Sequence, residues 1–507
     1  MGTKQDLRNL LSSASLVLLG AIVASVAKLL ERIVLGRNLS TAAYGEVNIA
    51  LTAMSLGVTF ALVGFGQGIP RFVSRFDDER DVRGAWLTGM LFTGAVGVTV
   101  AGLLFFNADF VTAKLFDQAG SDRLLPVFAL AIPLVVGYRI AVGGIRGFEV
   151  TIYKTYVSDL LYPFGRLLLL GVFLSYGFGA VSAGYAYLAS AAVAFLVAHY
   201  LLSRLLTLTG EFRLHVREMA VFSAPLVVSS VLGSLLTRTD TVMLGYFKTS
   251  HQVGLYAAAY PLANSLLIVL SSFGFLYLPL TSRLDANGER EEINAIYQLT
   301  TKWIYVVTFP AFLLFIAFPG DILTIFFGDR YAGGATALII LSVGFFTNAA
   351  GGRNRETLSA LGHTNLILAG NTVAFGLNVI LNLMLIPVYG FLGAAVASAV
   401  ANVALNAFMF LVLWTNFGIS PFSQWTVRTM TRVPLFLVPP TVIVSQWVSV
   451  SAVTLPLALV VTAAGTLAVV LSFDCLQPAD RVVVDFMEDI VDRNLSFLHG
   501  FVPESTE

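Results

Sequence analysis

Apolar segments of about 20 residues recur along the chain from Leu11 to about Cys475, separated by short polar stretches. Backbone that crosses a bilayer must satisfy its own hydrogen bonds, so only helices and closed barrels can cross it, and segments of this length are helices. Hydrophobic residues make up 57% of the chain and charged residues only 12%, a composition outside the range of soluble domains. The sequence therefore predicts an all-α polytopic membrane protein.

The hydrophobic pattern predicts about 14 transmembrane helices, of which the first covers Leu11–Glu31. The basic residues test this count independently. If the N-terminus is cytoplasmic, nineteen Lys and Arg residues fall on the inside and five on the outside. Because cytoplasmic loops carry an excess of Lys and Arg, this bias supports fourteen helices, with both termini inside and the protein in the cell (cytoplasmic) membrane.

A weak internal repeat appears when the sequence is shifted by 209 positions. Spans one and two then align with spans seven and eight, and Leu35-Gly36 meets Leu244-Gly245. Six helices per half is an even number, so the repeat is parallel, as in transporters that work by alternating access around a central cavity. The predicted domains are a first six-helix lobe at 1–210, a second at 211–420, two extra helices at 421–475 and a cytoplasmic amphipathic acidic tail at 476–507.

Several short motifs, in order along the chain, resemble those of the polysaccharide flippases: Leu35–Gly45, Phe222–Leu226, Asp240–Phe247, Ser359–Thr364 and Gly390–Ala394. These proteins form a branch of the multidrug/oligosaccharidyl-lipid/polysaccharide exporter superfamily. The resemblance covers essentially the whole chain. It implies translocation of a polyprenyl- or dolichyl-phosphate-linked sugar from the cytoplasmic to the outer leaflet.

The expected partners are the lipid-linked glycan, membrane lipids and glycosyltransferases of the same pathway. No cofactor is expected, and a monomer suffices because two lobes form a pathway. No basic run with interleaved aromatic residues indicates nucleic acid. The five His show no metal-ligand spacing, and the single Cys475 excludes an intrachain disulfide.

Ionisable side chains inside spans are the main binding candidates, because each costs roughly 2.5–3.5 kcal/mol to insert. Arg166 lies about halfway along span five, with Asp159 seven residues earlier on the same predicted helix face. A cation in a cavity would attract the phosphate or an acidic sugar; a buried link between Arg166 and Asp159 is the alternative. Arg139 in span four could meet the phosphate or anchor the helix. Lys302, at the start of span nine, is expected to be a surface anchor.

Spans one and seven carry charges near their predicted outer ends. Lys28, Glu31 and Arg32 share one helix face, and Arg238 and Asp240 lie in span seven. The three cations are further cavity candidates, with snorkelling to the headgroups as the alternative for span one. Glu31 and Asp240 occupy matching positions in the repeat, which indicates sites for coupling to H⁺ or Na⁺.

The polar stripe of the second half is predicted to consist of amides rather than charges. Asn371, Asn378 and Asn382 follow one another at spacings of seven and four in span eleven. Amides can hydrogen-bond sugar hydroxyls, and hydrogen bonding between helices is the alternative. The aromatic residues that could stack on sugars, unless they only belt the lipid interface, are Tyr256, Tyr260, Tyr277 and Trp303.

Two other functional classes are weaker interpretations. A membrane-embedded glycosyltransferase needs a catalytic carboxylate or a donor-binding loop, and the loops of this chain are short. An H⁺- or Na⁺-coupled antiporter of small molecules or drugs needs an accessible acidic group. The charges deepest in the membrane are instead Arg139 and Arg166, which favours an anionic cargo.

Overall fold

The computed structural model describes residues 20, 23–116, 123–272, 274–481 and 503. Within these residues all regular structure is helical, and eleven helices are long and apolar enough to cross a membrane. The prediction of an all-α multi-pass membrane protein is confirmed, while the count of fourteen spans stays a prediction. The beginning of the first predicted span and most of the tail at 476–507 lie outside the described residues.

The helices follow one another through short connections. The first eleven are α1 (23–38), α2 (Thr41–Leu62), α3 (Phe65–Arg75), α4 (Glu79–Phe106), α5 (Ala108–Leu115), α6 (Leu124–Gly147), α7 (Thr151–Lys154), α8 (Tyr162–Ser175), α9 (Val181–Ser203), α10 (Val216–Phe247) and α11 (Ser250–Ser265). A π-helical segment, Thr155–Leu161, joins α7 to α8 without a break, and we call it the π turn.

Ten further helices complete the described chain. They are α12 (Leu267–Ser272), α13 (Gly274–Asn287), α14 (Arg290–Ala317), α15 (Pro319–Phe327), α16 (Ala335–Gly351), α17 (Asn354–Ala360), α18 (Thr364–Tyr389), α19 (Phe391–Phe417), α20 (Gln424–Val444) and α21 (Leu455–Ser472). Short 3₁₀ turns cover Asp329–Gly334 and Pro478–Asp480.

Contacts group the chain into two compact units. The first contains the described residues up to Ala258, together with Phe326–Tyr331 and Val379–Ala394. The second contains Ala259–Ile325, Ala332–Asn378 and the described residues from Ala395 onward. The predicted lobes at 1–210 and 211–420 rest on a sequence repeat rather than on contacts, so the parallel repeat stays a prediction.

Helix starts in the first unit follow ordinary capping chemistry. The Ser40 side chain accepts a hydrogen bond from the Ala43 amide at 3.1 Å and opens α2. The Asp78 carboxylate accepts one from the Arg80 amide at 2.9 Å and opens α4. Side-chain oxygens at this position satisfy amides that have no partner within the helix, which fixes where each helix begins.

Helix α6 is the central helix of the first unit and packs against α2, α3, α4 and α9. Two of its glycines permit this close packing. A Cβ on Gly147 would lie 2.5 Å from the Val73 Cβ, and one on Gly137 would lie 2.5 Å from the Phe195 ring. Small residues let helix backbones approach closely. The packing holds the neighbouring Tyr138 and Arg139 in place.

The second unit is organised around α14, which packs against α16, α20 and α21. Lys302 on α14 is 1% exposed and forms a buried ion pair with Asp480. The Trp303 indole Nε1 donates to the same carboxylate at 2.8 Å. The prediction that Lys302 is a surface anchor is therefore wrong. The chain that follows α21 brings a carboxylate onto α14 and compensates the buried ammonium.

Candidate functional site

The first unit contains a cavity of about 410 Å³ with a strongly polar wall. Its lining includes five cationic and two anionic side chains, a formal excess of three positive charges. The charged lining residues are Lys28, Glu31 and Arg32 on α1, Arg139 on α6, Asp159 on the π turn, Arg166 on α8 and Arg238 on α10. The fold thus brings together the charged binding candidates that the sequence placed in the first seven spans, apart from Asp240.

Arg166 is fixed in this wall by an ion pair and two aromatic rings. It is 6% exposed, and its Nη2 lies 2.8 Å from Oε2 of Glu31, which is 4% exposed. Its guanidinium lies 4.7 Å from the ring centre of Tyr162 and 4.3 Å from that of Tyr187. A cation over an aromatic face gains about 2 kcal/mol when it is desolvated. Arg166 is therefore held in one position at the cavity wall.

Asp159 pairs with Lys154 and not with Arg166, the partner considered from the sequence. Its Oδ2 lies 2.6 Å from the Lys154 Nζ, whereas Arg166 pairs with Glu31. The alternative of a buried link between Arg166 and Asp159 is therefore wrong. A link between Arg166 and Asp159 assumes 3.6 residues per turn along the whole helix. Asp159 instead lies within the π turn, which changes the direction in which its side chain points.

The other cations of the wall are more accessible. Lys28 and Arg139 are exposed, and Arg32 and Arg238 are half-buried. The Arg32 Nη1 donates to the Asn48 side-chain oxygen at 2.9 Å. Lys28, Arg139 and Arg166 share this lining. Positive charges that repel one another across a cavity are stabilised when an anion lies between them.

Four tyrosines of the cavity wall were not predicted from the sequence: Tyr44, Tyr138, Tyr162 and Tyr187. The Tyr138 and Tyr162 rings lie 4.9 Å apart, in the middle of α6 and of the continuous helix Thr151–Ser175. Rings that belt a bilayer lie near helix ends, so the mid-span position of Tyr138 and Tyr162 is the signal that could have found these two. The aromatic residues that were predicted instead are absent from this lining, namely Tyr256, Tyr260, Tyr277 and Trp303.

Asp240, the predicted counterpart of Glu31, lies outside the cavity lining. It is 1% exposed, and its carboxylate accepts hydrogen bonds from the Tyr256 hydroxyl at 2.7 Å and the Asn382 amide at 2.6 Å. Glu31 is instead paired with a guanidinium. The contacts described for the two acids differ: Glu31 forms a buried ion pair with Arg166, and Asp240 accepts hydrogen bonds from Tyr256 and Asn382.

The amides of span eleven are also placed outside the cavity lining. Asn382 bonds a neighbouring helix through Asp240. Asn378 is 1% exposed and Asn371 is half-buried. The hydrogen bond from Asn382 to Asp240 joins two helices, and such bonding between helices was the alternative considered for these amides. A glycan-facing wall built from them stays a prediction.

The family described as polysaccharide biosynthesis protein matches residues 10–285, more than half of the 507 residues, and the MatE family matches residues 225–384. A Haloferax volcanii protein named as a probable low-salt glycan biosynthesis flippase, Agl15, is 27% identical over 194 residues, which cover 38% of this chain and 41% of that protein.

Two further matches cover most of the chain. A Shigella flexneri protein named as an O-antigen transporter is 22% identical over 395 residues, which cover 75% of this chain and 92% of that protein. The solved structure of the lipid II flippase MurJ in an inward closed conformation matches with a TM-score of 0.72 at 12% identity, covering 92% of this chain and 99% of that one. This last likeness concerns the fold alone. Because the family model matches residues 10–285, more than half of the chain, this chain belongs to the polysaccharide biosynthesis protein family.

Proposed function

We propose that the protein is a flippase for a lipid-linked glycan. It moves a polyprenyl- or dolichyl-(pyro)phosphate-linked sugar or oligosaccharide from the cytoplasmic to the outer leaflet, for cell-surface polysaccharide or glycoprotein synthesis. The observation that carries this proposal is the excess of three positive charges in the cavity of the first unit. The names of Agl15 and of the O-antigen transporter support the same class of cargo.

The chemistry of the cavity suits the phosphate of such a cargo. Arginine presents planar donors that match phosphate oxygens, and lysine acts as a point charge. Lys28 and Arg139, the exposed cations of the wall, would bind the phosphate, with Arg166 fixed behind them. Charges interact more strongly at a site shielded from bulk water. The fixed positive charges would therefore replace the water around the phosphate. Loss of that water is the main obstacle to moving a charged group across a bilayer.

The tyrosines of the wall extend the same function to the sugar. Tyrosine combines an apolar ring face with a hydroxyl that donates and accepts hydrogen bonds. Tyr138 and Tyr162 lie next to Arg139 and close to Arg166, so a sugar attached to the bound phosphate would meet their rings. A cationic drug would instead be repelled by the same wall, which disfavours the antiporter alternative.

Transport by alternating access, with two six-helix lobes at 1–210 and 211–420, completes the proposal. The protein would act as a monomer in the cytoplasmic membrane, with both termini inside, and would receive its cargo from glycosyltransferases of the same pathway. The nineteen inside and five outside basic residues support this orientation.

Glu31 and Asp240 are proposed as sites of coupling to H⁺ or Na⁺. Both are buried carboxylates inside spans, where an ionisable group is costly and marks a functional site. Neutralising both, as Glu31→Gln with Asp240→Asn, is expected to abolish the ion dependence of transport measured in vesicles. Transport that keeps its ion dependence in this double variant would refute the coupling role.

The flippase proposal is tested in cells that lack this protein. We expect a charged lipid-linked glycan to accumulate on the cytoplasmic leaflet, measured by mass spectrometry after labelling inverted vesicles with a membrane-impermeant reagent. Wild type should clear the pool and Arg139→Gln should not, because Arg139 is an exposed cation of the cavity and its loss leaves no carboxylate unpaired.

Arg146→Gln is the matched control, since Arg146 is exposed on the same helix but does not line the cavity. It should clear the pool as wild type does. An unchanged pool in cells lacking the protein, accompanied by altered sensitivity to cationic drugs, would refute the flippase and support the antiporter.

A further inference from the structure

The pairing of Lys154 with Asp159 depends on the π turn. The two residues are five apart, and their Nζ and Oδ2 atoms lie 2.6 Å from each other. In an α-helix, residues five apart point about 140° away from one another, because 3.6 residues complete a turn. The π turn, Thr155–Leu161, follows directly after Lys154 and winds more widely, which brings the fifth residue back onto the same face.

This geometry joins the cavity wall to a residue behind it. Asp159 lines the cavity and Lys154 does not. The side chain of Asp159 is 13% exposed and that of Lys154 is 24% exposed, so the pair is largely shielded from water. The Asp159 carboxylate of the wall is thus neutralised by Lys154, a cation outside the lining.

The alternative partner of Asp159 lies inside the cavity. Lys28, on α1, lines the same cavity as Asp159. The other carboxylate of the wall, Glu31, is already paired with Arg166. If Lys154 did not pair with Asp159, an unpaired carboxylate would lie in the same lining as the exposed Lys28, and it would compete with any phosphate for that charge.

The space around the π turn restrains Asp159 as well. A Cβ placed on Gly20 would lie 2.5 Å from the Thr155 Cγ2 and 3.3 Å from the Asp159 Oδ2. The chain at Gly20 therefore packs directly against the π turn, beside the carboxylate. Packing on one side and the ammonium on the other hold Asp159 in its present position.

We propose that Lys154 is a positioning residue that, through the π turn, pairs with the Asp159 carboxylate at the cavity wall and so limits its competition with the anionic headgroup of the cargo for the cavity cations. This inference rests on the proposed function. It assigns the strength of anion binding to a residue outside the cavity lining, and it gives the π turn a role in transport.

Inorganic pyrophosphate is the probe that tests it, with binding to the purified full-length protein followed as a rise in melting temperature. We expect Lys154→Met to raise the half-saturating pyrophosphate concentration about tenfold, because the released carboxylate competes at close range. Adding Asp159→Asn to Lys154→Met should restore the wild-type concentration, since no competing carboxylate remains.

A second double variant separates pairing from net charge. Lys154→Met with Glu149→Gln has the same net charge as wild type but leaves Asp159 unpaired, and Glu149 is exposed outside the cavity lining. It should bind pyrophosphate as weakly as Lys154→Met alone. Equal rescue by Glu149→Gln and Asp159→Asn would show that only long-range charge matters and would overturn the inference.

The remaining outcomes are also decisive. If Asp159→Asn restores the melting temperature of Lys154→Met without pyrophosphate but does not restore binding, the pair is structural and the inference is wrong. If Lys154→Met binds as wild type does, the inference is wrong while the proposed function stands. If pyrophosphate does not raise the melting temperature of wild type, and variants at Lys28 and Arg139 show the same lack of response, the cationic site and the inference both fail.

Discussion

Replacing Arg166 by methionine separates the structural role of its ion pair from its role in binding. The pair with Glu31 is buried at both ends, with the two residues 6% and 4% exposed. Arg166→Met leaves a buried carboxylate without a partner, which costs about 3–5 kcal/mol of the free energy of unfolding. Glu31→Gln should cost a similar amount, because the guanidinium then lacks its counter-ion.

The double variant Arg166→Met with Glu31→Gln should recover most of that loss, since no unpaired charge stays buried. A deficit of about 1–2 kcal/mol is expected to remain, because the contacts of the guanidinium with the rings of Tyr162 and Tyr187 are gone. The free energy of unfolding is measured by denaturant titration in detergent. Transport is measured as clearance of the lipid-linked glycan pool, and it should stay lost in the double variant.

Arg75→Met is the control for burial. Its ion pair with Glu218 has the same 2.8 Å separation, but the two side chains are 59% and 47% exposed. Such pairs contribute about 0–1 kcal/mol, so this variant should be close to wild type in stability and transport. A double variant at Arg166 and Glu31 that regains transport together with stability would refute the binding role. A loss below about 1 kcal/mol for Arg166→Met would refute the buried pair.

Two further variants each test the packing of one unit, Asp480→Asn in the second unit and Gly84→Ala in the first. Burial raises the pKa of the Cys475 thiol, so this single cysteine stays protonated at neutral pH and should react slowly with maleimide in the native protein. Asp480→Asn leaves the buried Lys302 ammonium without its counter-ion, so it should lower the free energy of unfolding by about 3–5 kcal/mol. The same variant should accelerate maleimide labelling of Cys475, and labelling at the wild-type rate would contradict this prediction. Gly84→Ala should destabilise the first unit, because a Cβ there would lie 1.7 Å from the Arg213 carbonyl oxygen, whereas Gly94→Ala on the same helix meets nothing within 4 Å and should be neutral in thermal unfolding. Equal melting temperatures for the two alanine variants would refute the close packing at α4.

The residues that carry the candidate site were accessible to sequence reasoning to different degrees. Arg166, Arg139 and Lys28 could be found because a charge inside an apolar segment is costly and therefore informative wherever it occurs. The tyrosines could not be separated from interface rings by residue type, since the distinction is depth within a span. Lys302 was misassigned because its counter-ion, Asp480, lies far away in the sequence.

The sequence by itself determined the class of this protein. Segments of about 20 apolar residues leave a chain no stable alternative to membrane-spanning helices, because the bilayer offers no partners for exposed backbone groups. The sequence also shows which charged side chains lie inside apolar segments, among them Arg139 and Arg166. Both are consequences of local composition, which does not depend on how the helices pack.

Only the tertiary structure decided how those charges are paired. Glu31 reaches Arg166 because α1 and α8 border the same cavity, and Asp159 turns to Lys154 because seven residues adopt a π-helical turn. Neither pairing follows from helical periodicity, since the first joins distant segments and the second departs from 3.6 residues per turn. Charge pairing depends on distances of a few ångströms, and such distances are set by packing between helices and by local departures from regular geometry.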